Sequence, residues 1–273
     1  MASATQPLPT LTHLRATVAR LERLAPRPRK PFLPFGIPAI DRHLAEAGLP
    51  RGALHEIAGT GAETEHAAAA ALFTAGLAAR LTPRVPVLWI LHRPDLFAPA
   101  LAAVGLTPDR VIYVEAFRPE AVLLTMEEGL RHPGLAAVVA ELPGKLSLTA
   151  SRRLQLAAET SGVTGFILRR SHARRVGVAA ARETRSWMHD DPVLAEPIAA
   201  ATRWRISALP APPPFPEAPD VPGLGRGRWR LELIRCRGGK PASWTVEECD
   251  AKGRLYFANT ASTTAAPPAE QIA

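Results

Sequence analysis

The fold is decided by HEIAGTGAETEHAAAAA, residues 55–71. This stretch begins inside a short apolar run that extends from Ala53 to Ala58, turns at two glycines and continues into an alanine-rich run. Glycine permits a tight turn, and the two apolar runs have the lengths of a strand and of a helix. We therefore expect a strand over 53–58, a tight loop, and a helix from Glu65 to Arg80.

The same alternation continues along the chain. Apolar runs of strand length lie at Val85–Leu91, Val111–Ala116, Leu135–Leu142 and 163–170. Segments with a helical pattern lie between them, at 95–105, 119–132 and 147–162. Upstream, residues 35–52 predict a helix that ends at Gly48. Apolar strands that alternate with helices favour a parallel sheet covered on both faces, so the predicted fold class is α/β.

The C-terminal side of the chain has a different pattern. Residues 202–209 and 228–236 alternate with a period of two, and 243–248 and 254–258 continue that pattern. A proline-rich segment, 210–222, connects the first two as a stiff, extended link. These segments predict antiparallel strands added to the edge of a mainly parallel sheet flanked by helices.

The two termini lie outside this domain, which we place at residues 32–258. Residues 10–24 predict a helix with Leu11, Leu14, Val18 and Leu21 on one stripe, followed by a proline-rich linker that ends at residue 31. This helix is expected to dock on its own core or on a neighbouring molecule. Residues 259–273 lack an apolar period and are predicted to be disordered.

The composition of the chain indicates which kinds of partner, cofactor and cellular location to expect. The 273 residues carry a formal net charge of +8, which favours a polyanionic partner but is also typical of arginine-rich composition. Two cysteines cannot form a disulfide framework, and MHDDP, residues 188–192, is not a plausible metal site, so we expect no metal and no cofactor. No signal peptide opens the chain, and the longest apolar run is too short to span a bilayer. A cytoplasmic protein without membrane contact is expected.

The loop after the first central strand has the frame of a phosphate loop without its phosphate-binding groups. Four residues after Gly59, the chain reads Thr64, Glu65 and His66, where G-x-x-x-x-G-K-[ST] has glycine, lysine and Ser or Thr. The lysine of that loop neutralises phosphate and the hydroxyl binds Mg²⁺. Glu65 would instead repel phosphate, by about 4 kcal/mol for unit charges about 4 Å apart at a protein surface. The sequence therefore predicts a degenerate nucleotide site.

Several segments together resemble one known family. They are residues 48–52 (GLPRG), 54–57 (LHEI), 141–170, 202–208 (TRWRISA) and 222–244. They are similar to the ImuA family of bacterial RecA-like proteins, and the resemblance covers residues 34–247. SLTASRRLQLAAE, residues 147–159, and GLGRGRWRLEL, residues 223–233, are the most specific parts. The resemblance implies a RecA-like core.

The resemblance also places two further positions of the degenerate site. Glu141 stands at the end of a strand where a RecA-type ATPase has its magnesium-organising aspartate. Arg93 stands where such ATPases carry the catalytic glutamate. Because the lysine, the hydroxyl and this glutamate are all replaced, we expect a protein that is not an enzyme, with no catalytic residues.

The resemblance further implies the partners. ImuA proteins belong to a damage-inducible mutagenesis cassette and act with ImuB, an inactive Y-family-like polymerase, and through it with an error-prone C-family polymerase. RecA and DNA are further candidate partners. The expected function is a non-catalytic scaffold of the SOS-induced translesion synthesis complex. Two alternatives stay open: a SulA-like cell-division inhibitor, and a degenerate RecA-like protein that senses nucleotide without hydrolysis.

Arginines supply the candidate contacts with DNA or an acidic partner. The sharpest cluster is Arg169, Arg170, Arg174 and Arg175 in FILRRSHARR, which can equally be a solvated surface loop. Two further groups are interleaved with tryptophan: Arg203, Arg205, Arg228 and Arg230. Tryptophan between arginines can stack single-stranded bases, but we favour a half-buried strand with Trp204 and Ile206 inward and the arginines outward. Arg152 and Arg153 are expected on an exposed helix face, as default surface residues or as partner contacts.

Overall fold

The computed structural model describes residues 31–60, 63–170, 196–215, 217–218, 220–221, 223 and 225–258, with only the backbone of residues 63–65. The predicted N-terminal helix, the predicted disordered tail, and Arg174 and Arg175 lie outside these residues. Our division of the chain at residues 31 and 259 therefore stays a prediction.

The secondary structure follows the predicted alternation. The strands are β1 (Phe32–Leu33), β2 (Leu49–Pro50), β3 (Leu54–Gly59), β4 (Val87–Leu91), β5 (Val111–Glu115), β6 (Ala137–Pro143), β7 (Thr164–Arg170), β8 (Thr202–Leu209), β9 (Arg228–Cys236), β10 (Ala242–Glu247) and β11 (Tyr256–Phe257). The α-helices are α1 (Pro38–Asp41), α2 (Glu63–Arg80), α3 (Ala98–Ala103), α4 (Pro119–Arg131) and α5 (Leu148–Ser161).

Nine of these strands form one sheet, in the order β11-β10-β9-β8-β3-β7-β6-β4-β5. The pairs from β5 to β8 are parallel, and those from β8 to β11 are antiparallel. β3, at the start of the degenerate phosphate loop, lies in the centre between β7 and β8. The predicted α/β class is confirmed, with antiparallel strands at one edge of a mainly parallel sheet.

Helices cover this sheet on both faces. α2 packs on one face, where Phe73 and the ring of Phe35 contact Trp204 of β8. α4 and α5 pack on the other face through buried side chains that include Met126 and Leu154. Because both faces of the parallel strands are covered, a charged side chain in a central strand is removed from water unless it lies at a strand end.

One predicted element is much shorter than expected. The helix predicted to end at Gly48 is reduced to the four residues of α1 and a single 3-10 turn, in which Glu46 and Ala47 have φ of 50° and 53°. The Lys240 N–H, from the β9–β10 turn, donates to the His43 carbonyl at 2.9 Å. The β9–β10 turn thus donates to a carbonyl that would accept an intrahelical hydrogen bond if the helix continued.

Candidate functional site

The described residues on either side of the predicted degenerate loop, Gly59 and His66, lie close together. A Cβ on Gly59 would lie 3.0 Å from the His66 carbonyl oxygen, in the first turns of α2. Glycine at this position therefore lets the helix backbone approach the end of β3. This requirement is one of packing, and it holds without any bound phosphate.

Groups of this loop bind the end of β8. The Ala208 N–H donates to His66 Nδ1 at 3.0 Å, so this nitrogen carries no proton. The Thr60 N–H donates to the Ile206 carbonyl at 3.0 Å, and Ser207 Oγ donates to Thr60 Oγ1 at 2.9 Å. Thr64 and Glu65 lie in the first turn of α2, and their side chains are outside the described residues. The described polar groups of the loop thus join two elements of the same domain.

Glu141 is fully buried near the end of β6. Trp89 Nε1 donates to its Oε1 at 3.1 Å, and Arg170 Nη1 lies 3.8 Å from its Oε2. Burial raises the pKa of this carboxyl, while Arg170 and the Trp89 hydrogen bond oppose the rise. This carboxyl group is therefore held by an indole, a guanidinium and the His92 backbone.

Arg170 connects Glu141 to the loop after β4. Its Nη2 forms an ion pair with Asp95, whose side chain is about half exposed. Arg93 is exposed in the same loop, two residues before Asp95. The structure thus brings Glu141, Arg170 and this loop together at the carboxyl edge of β4, β6 and β7.

A second carboxylate is buried in the sheet, and sequence reasoning missed it. Glu56 of β3 is 1% exposed, and its Oε2 accepts from Arg203 Nε at 2.5 Å. Arg169 Nε lies 3.6 Å from its Oε1, and the Arg169 guanidinium also donates to the Gly144 carbonyl. The signal was present in LHEIAG, since a glutamate within a buried strand requires cationic partners on neighbouring strands.

Two arginine predictions are corrected by this cluster. Trp204 and Ile206 do face inward, but Arg203 is only 5% exposed, so the expectation that the arginines of β8 point outward is wrong for it. Arg169 and Arg170 lie in β7, within the strand predicted over 163–170, so the alternative of a solvated surface loop is wrong for these two residues. Both corrections have one cause: the sheet is covered on both faces, and the buried carboxylates Glu56 and Glu141 on neighbouring strands compensate the guanidiniums.

The other arginine candidates are more accessible. Arg230 is 42% exposed and Arg205 only 14%, and they lie 3.9 Å and 3.4 Å from Glu232. Arg228 is half-buried at the start of β9. On α5, Arg152 is exposed, while Arg153 forms an ion pair with Glu127 of α4. Contact of these residues with DNA or a partner stays a prediction.

His55 is a core residue of β3. It is fully buried, Thr202 Oγ1 donates to its Nδ1 at 2.8 Å, and its Nε2 donates to the Pro50 carbonyl at 2.8 Å. Trp204 Nε1 donates in turn to Thr202 Oγ1. Burial lowers the pKa of His55 to about 4, so the ring is neutral at pH 7.

Within the residues that the structure describes, no group of three or more His, Cys, Asp or Glu side chains could hold a metal ion. No helix in that part of the chain is long and apolar enough to cross a membrane.

Comparison with known proteins supplies the family. No protein-family model matches the chain. Two curated proteins named Protein ImuA, from two strains of Caulobacter vibrioides, are each 42% identical to it over 224 residues. The match spans 81% of this chain and 85% of each relative. At this identity and coverage, the chain belongs to the ImuA family.

Proposed function

We propose that this protein is a non-catalytic accessory protein of the SOS-induced translesion synthesis complex, which binds ImuB and does not hydrolyse ATP. Membership of the ImuA family supports a role in the ImuA–ImuB mutagenesis cassette. In this proposal a RecA-like body holds ImuB and, through it, the error-prone polymerase. RecA and DNA are the further contacts to be tested.

The proposal that this protein does not hydrolyse ATP rests on one observation. Side chains around the predicted degenerate site make contacts with other residues of the same domain. Glu141 contacts Trp89 and Arg170, and His66 accepts from the backbone of β8. A magnesium-nucleotide at this edge would have to compete with these contacts. It would also meet Arg93 where a catalytic carboxylate is needed.

Nucleotide binding and turnover are tested separately. Full-length protein is titrated calorimetrically with ATP and Mg²⁺, and phosphate release is followed with and without purified ImuB. We expect no heat of binding and no release above buffer, with a RecA-type ATPase as the positive control. Stoichiometric heat without turnover would replace the proposal with the nucleotide-sensing alternative, and turnover would refute it.

Binding to ImuB is tested by affinity capture of tagged full-length protein from DNA-damaged cells, with and without nuclease. Capture of ImuB that survives nuclease is the expected result. Capture of ImuB only with intact DNA would indicate a DNA-bridged complex. Capture of the tubulin-like division protein instead would favour the SulA-like alternative.

The accessible arginines provide a test of which surface is used. Because a cation that contacts phosphate or an acidic partner contributes through its charge, we expect R230E to weaken capture of ImuB or DNA. K252E, which reverses an exposed charge in the turn before β11, is the matched control. Equal capture by both variants would remove the β8–β9 surface from the proposal.

A further inference from the structure

Both edge strands of the nine-stranded sheet carry exposed apolar or aromatic side chains, but β11 has only two residues, whereas β5 has five. Among the described residues, β5 pairs with β4 alone. Ile112 and Tyr113 in this edge strand are 48% and 38% exposed, and Phe117, just beyond it, is 62% exposed. Edge strands are normally blunted by charged side chains, proline, a bulge or shortness, and VIYVE carries only one charge, on Glu115 at its end. An apolar strand edge of this kind needs a cover.

The described chain begins at the same end of the sheet as β5. The Pro31 carbonyl accepts from the Arg51 N–H at 2.8 Å, and Arg51 Nη2 donates to Thr82 Oγ1 at 2.7 Å. Arg110, which directly precedes β5, donates from Nη2 to the Thr82 carbonyl at 3.1 Å. Three successive hydrogen bonds therefore connect the start of the described chain to the start of the exposed strand.

The N-terminal segment has the length to reach this edge. Pro31 is attached beside the start of β3, and four strand spacings from β3 to β5 amount to about 19 Å. Residues 25–31, APRPRKP, span about 22 Å as an extended proline-rich linker. A 15-residue helix over 10–24 would be about 22 Å long, enough to cover a five-residue strand of about 17 Å.

The chemistry of the two surfaces is complementary. The predicted helix carries an aliphatic stripe, Leu11, Leu14, Val18 and Leu21, and arginines off this stripe at positions 15, 20 and 23. The strand edge offers exposed apolar side chains, with the exposed carboxylates Glu115 and Glu120 at its end. We propose that residues 10–24 form an amphipathic helix that packs on the β5 edge of the same chain. In this arrangement the N-terminal helix already covers the β5 edge when the protein binds a partner.

Crosslinking tests both the site and the chain that covers it. In full-length L14C/I112C, a short thiol crosslinker should join positions 14 and 112 within one chain, as read by peptide mass spectrometry of the monomer band. The native Cys236 and Cys249 are buried. The matched control is L14C/S243C, because Ser243 is exposed on β10, seven strand spacings or about 34 Å from β5, and should give no crosslink.

A 14–112 crosslink found only between two chains would overturn the proposal in favour of a second copy. Absence of the crosslink, or equal yield in the control, would overturn it as well. Hydrogen exchange of residues 111–115 provides an independent readout. V18S/L21S should accelerate it relative to the unsubstituted protein, whereas A19S, off the stripe, should not. Unchanged exchange in V18S/L21S would refute the proposed cover.

Discussion

Glu56 and Glu141 are both buried glutamates in parallel strands of one sheet, yet their surroundings differ. Glu56 lies between two arginines that are themselves buried, at 2.5 Å and 3.6 Å. Glu141 accepts hydrogen bonds from a neutral indole and from the His92 backbone, and its arginine, at 3.8 Å, also pairs with Asp95 at the surface.

The two buried carboxylates differ in how completely their negative charge is compensated. The charge of Glu56 is compensated at short distance, so the sheet depends on its ionised form. The charge of Glu141 is compensated weakly, and burial raises its pKa. A buried carboxylate whose charge is only partly compensated therefore favours its ionised form less than one that lies between two guanidiniums.

The largest effect is expected for Glu56→Gln. Removing this charge leaves two buried guanidiniums without their shared carboxylate, which should lower the free energy of unfolding by about 3–5 kcal/mol. Urea unfolding followed by circular dichroism measures this loss. A loss as small as that of a surface substitution would contradict the claim that the stability of the sheet depends on the charge of Glu56.

His55, the neighbour of Glu56 in β3, provides a contrast with the two glutamates, because it is a base that is buried in its neutral form. Its folded pKa of about 4 lies below the ordinary 6.5, so the unfolded chain binds the extra proton between these values. Stability should be complete above pH 6.5 and fall by roughly 3 kcal/mol as the pH approaches 4. Unfolding of His55→Gln measured across this window should show a shallower slope, and an unchanged slope would contradict the assignment.

Glu141 should show the opposite sign. Because its folded pKa is raised above the ordinary 4.5, its contribution is complete below pH 4.5 and is lost as the pH rises through the folded value. Glu141→Gln keeps a hydrogen-bond acceptor for Trp89 and removes this titration. Relative to the unsubstituted protein, its stability should therefore improve as the pH rises. A difference that is constant with pH would show that Glu141 does not titrate in this range.

The smallest effect is expected for Glu232→Gln. This carboxylate pairs with Arg205 and Arg230 at 3.4 Å and 3.9 Å, but it and Arg230 are partly exposed. Pairs of this kind contribute about 0–1 kcal/mol, and salt screens them. Thermal unfolding at low and high salt should show a difference below about 1 kcal/mol from the unsubstituted protein. A loss comparable to that of Glu56→Gln would mean that exposure does not distinguish these carboxylates.

Much of the fold could be predicted from the sequence because local patterns specified it. The alternation over 202–209 and 228–236 gave the bounds of β8 and β9 without error. The helix predicted to end at Gly48 failed for a non-local reason. Trp244 Nε1 donates to the Ala39 carbonyl, 205 residues away in the chain, and no local pattern records this contact.

The candidate site was less predictable for the same reason. Gly59, His66 and Glu141 were found because they occupy positions of a recognisable motif. The roles of Arg169 and Arg203 were not found, because a guanidinium in a sequence carries no sign of the buried carboxylate that it will meet. Glu56 and Arg203 are 147 residues apart, and only the strand order places them together.

This separation also governs the order in which the protein can be completed during synthesis. β3 leaves the ribosome well before β8, and at about 5–20 residues per second the interval of 147 residues lasts roughly 7 to 30 s. Throughout that interval the nascent chain contains Glu56 without Arg203. Arg169 of β7 can pair with Glu56 before β8 is made, but the closer cation, Arg203, and the neighbouring strand β8 complete the centre of the sheet only at the end of that interval.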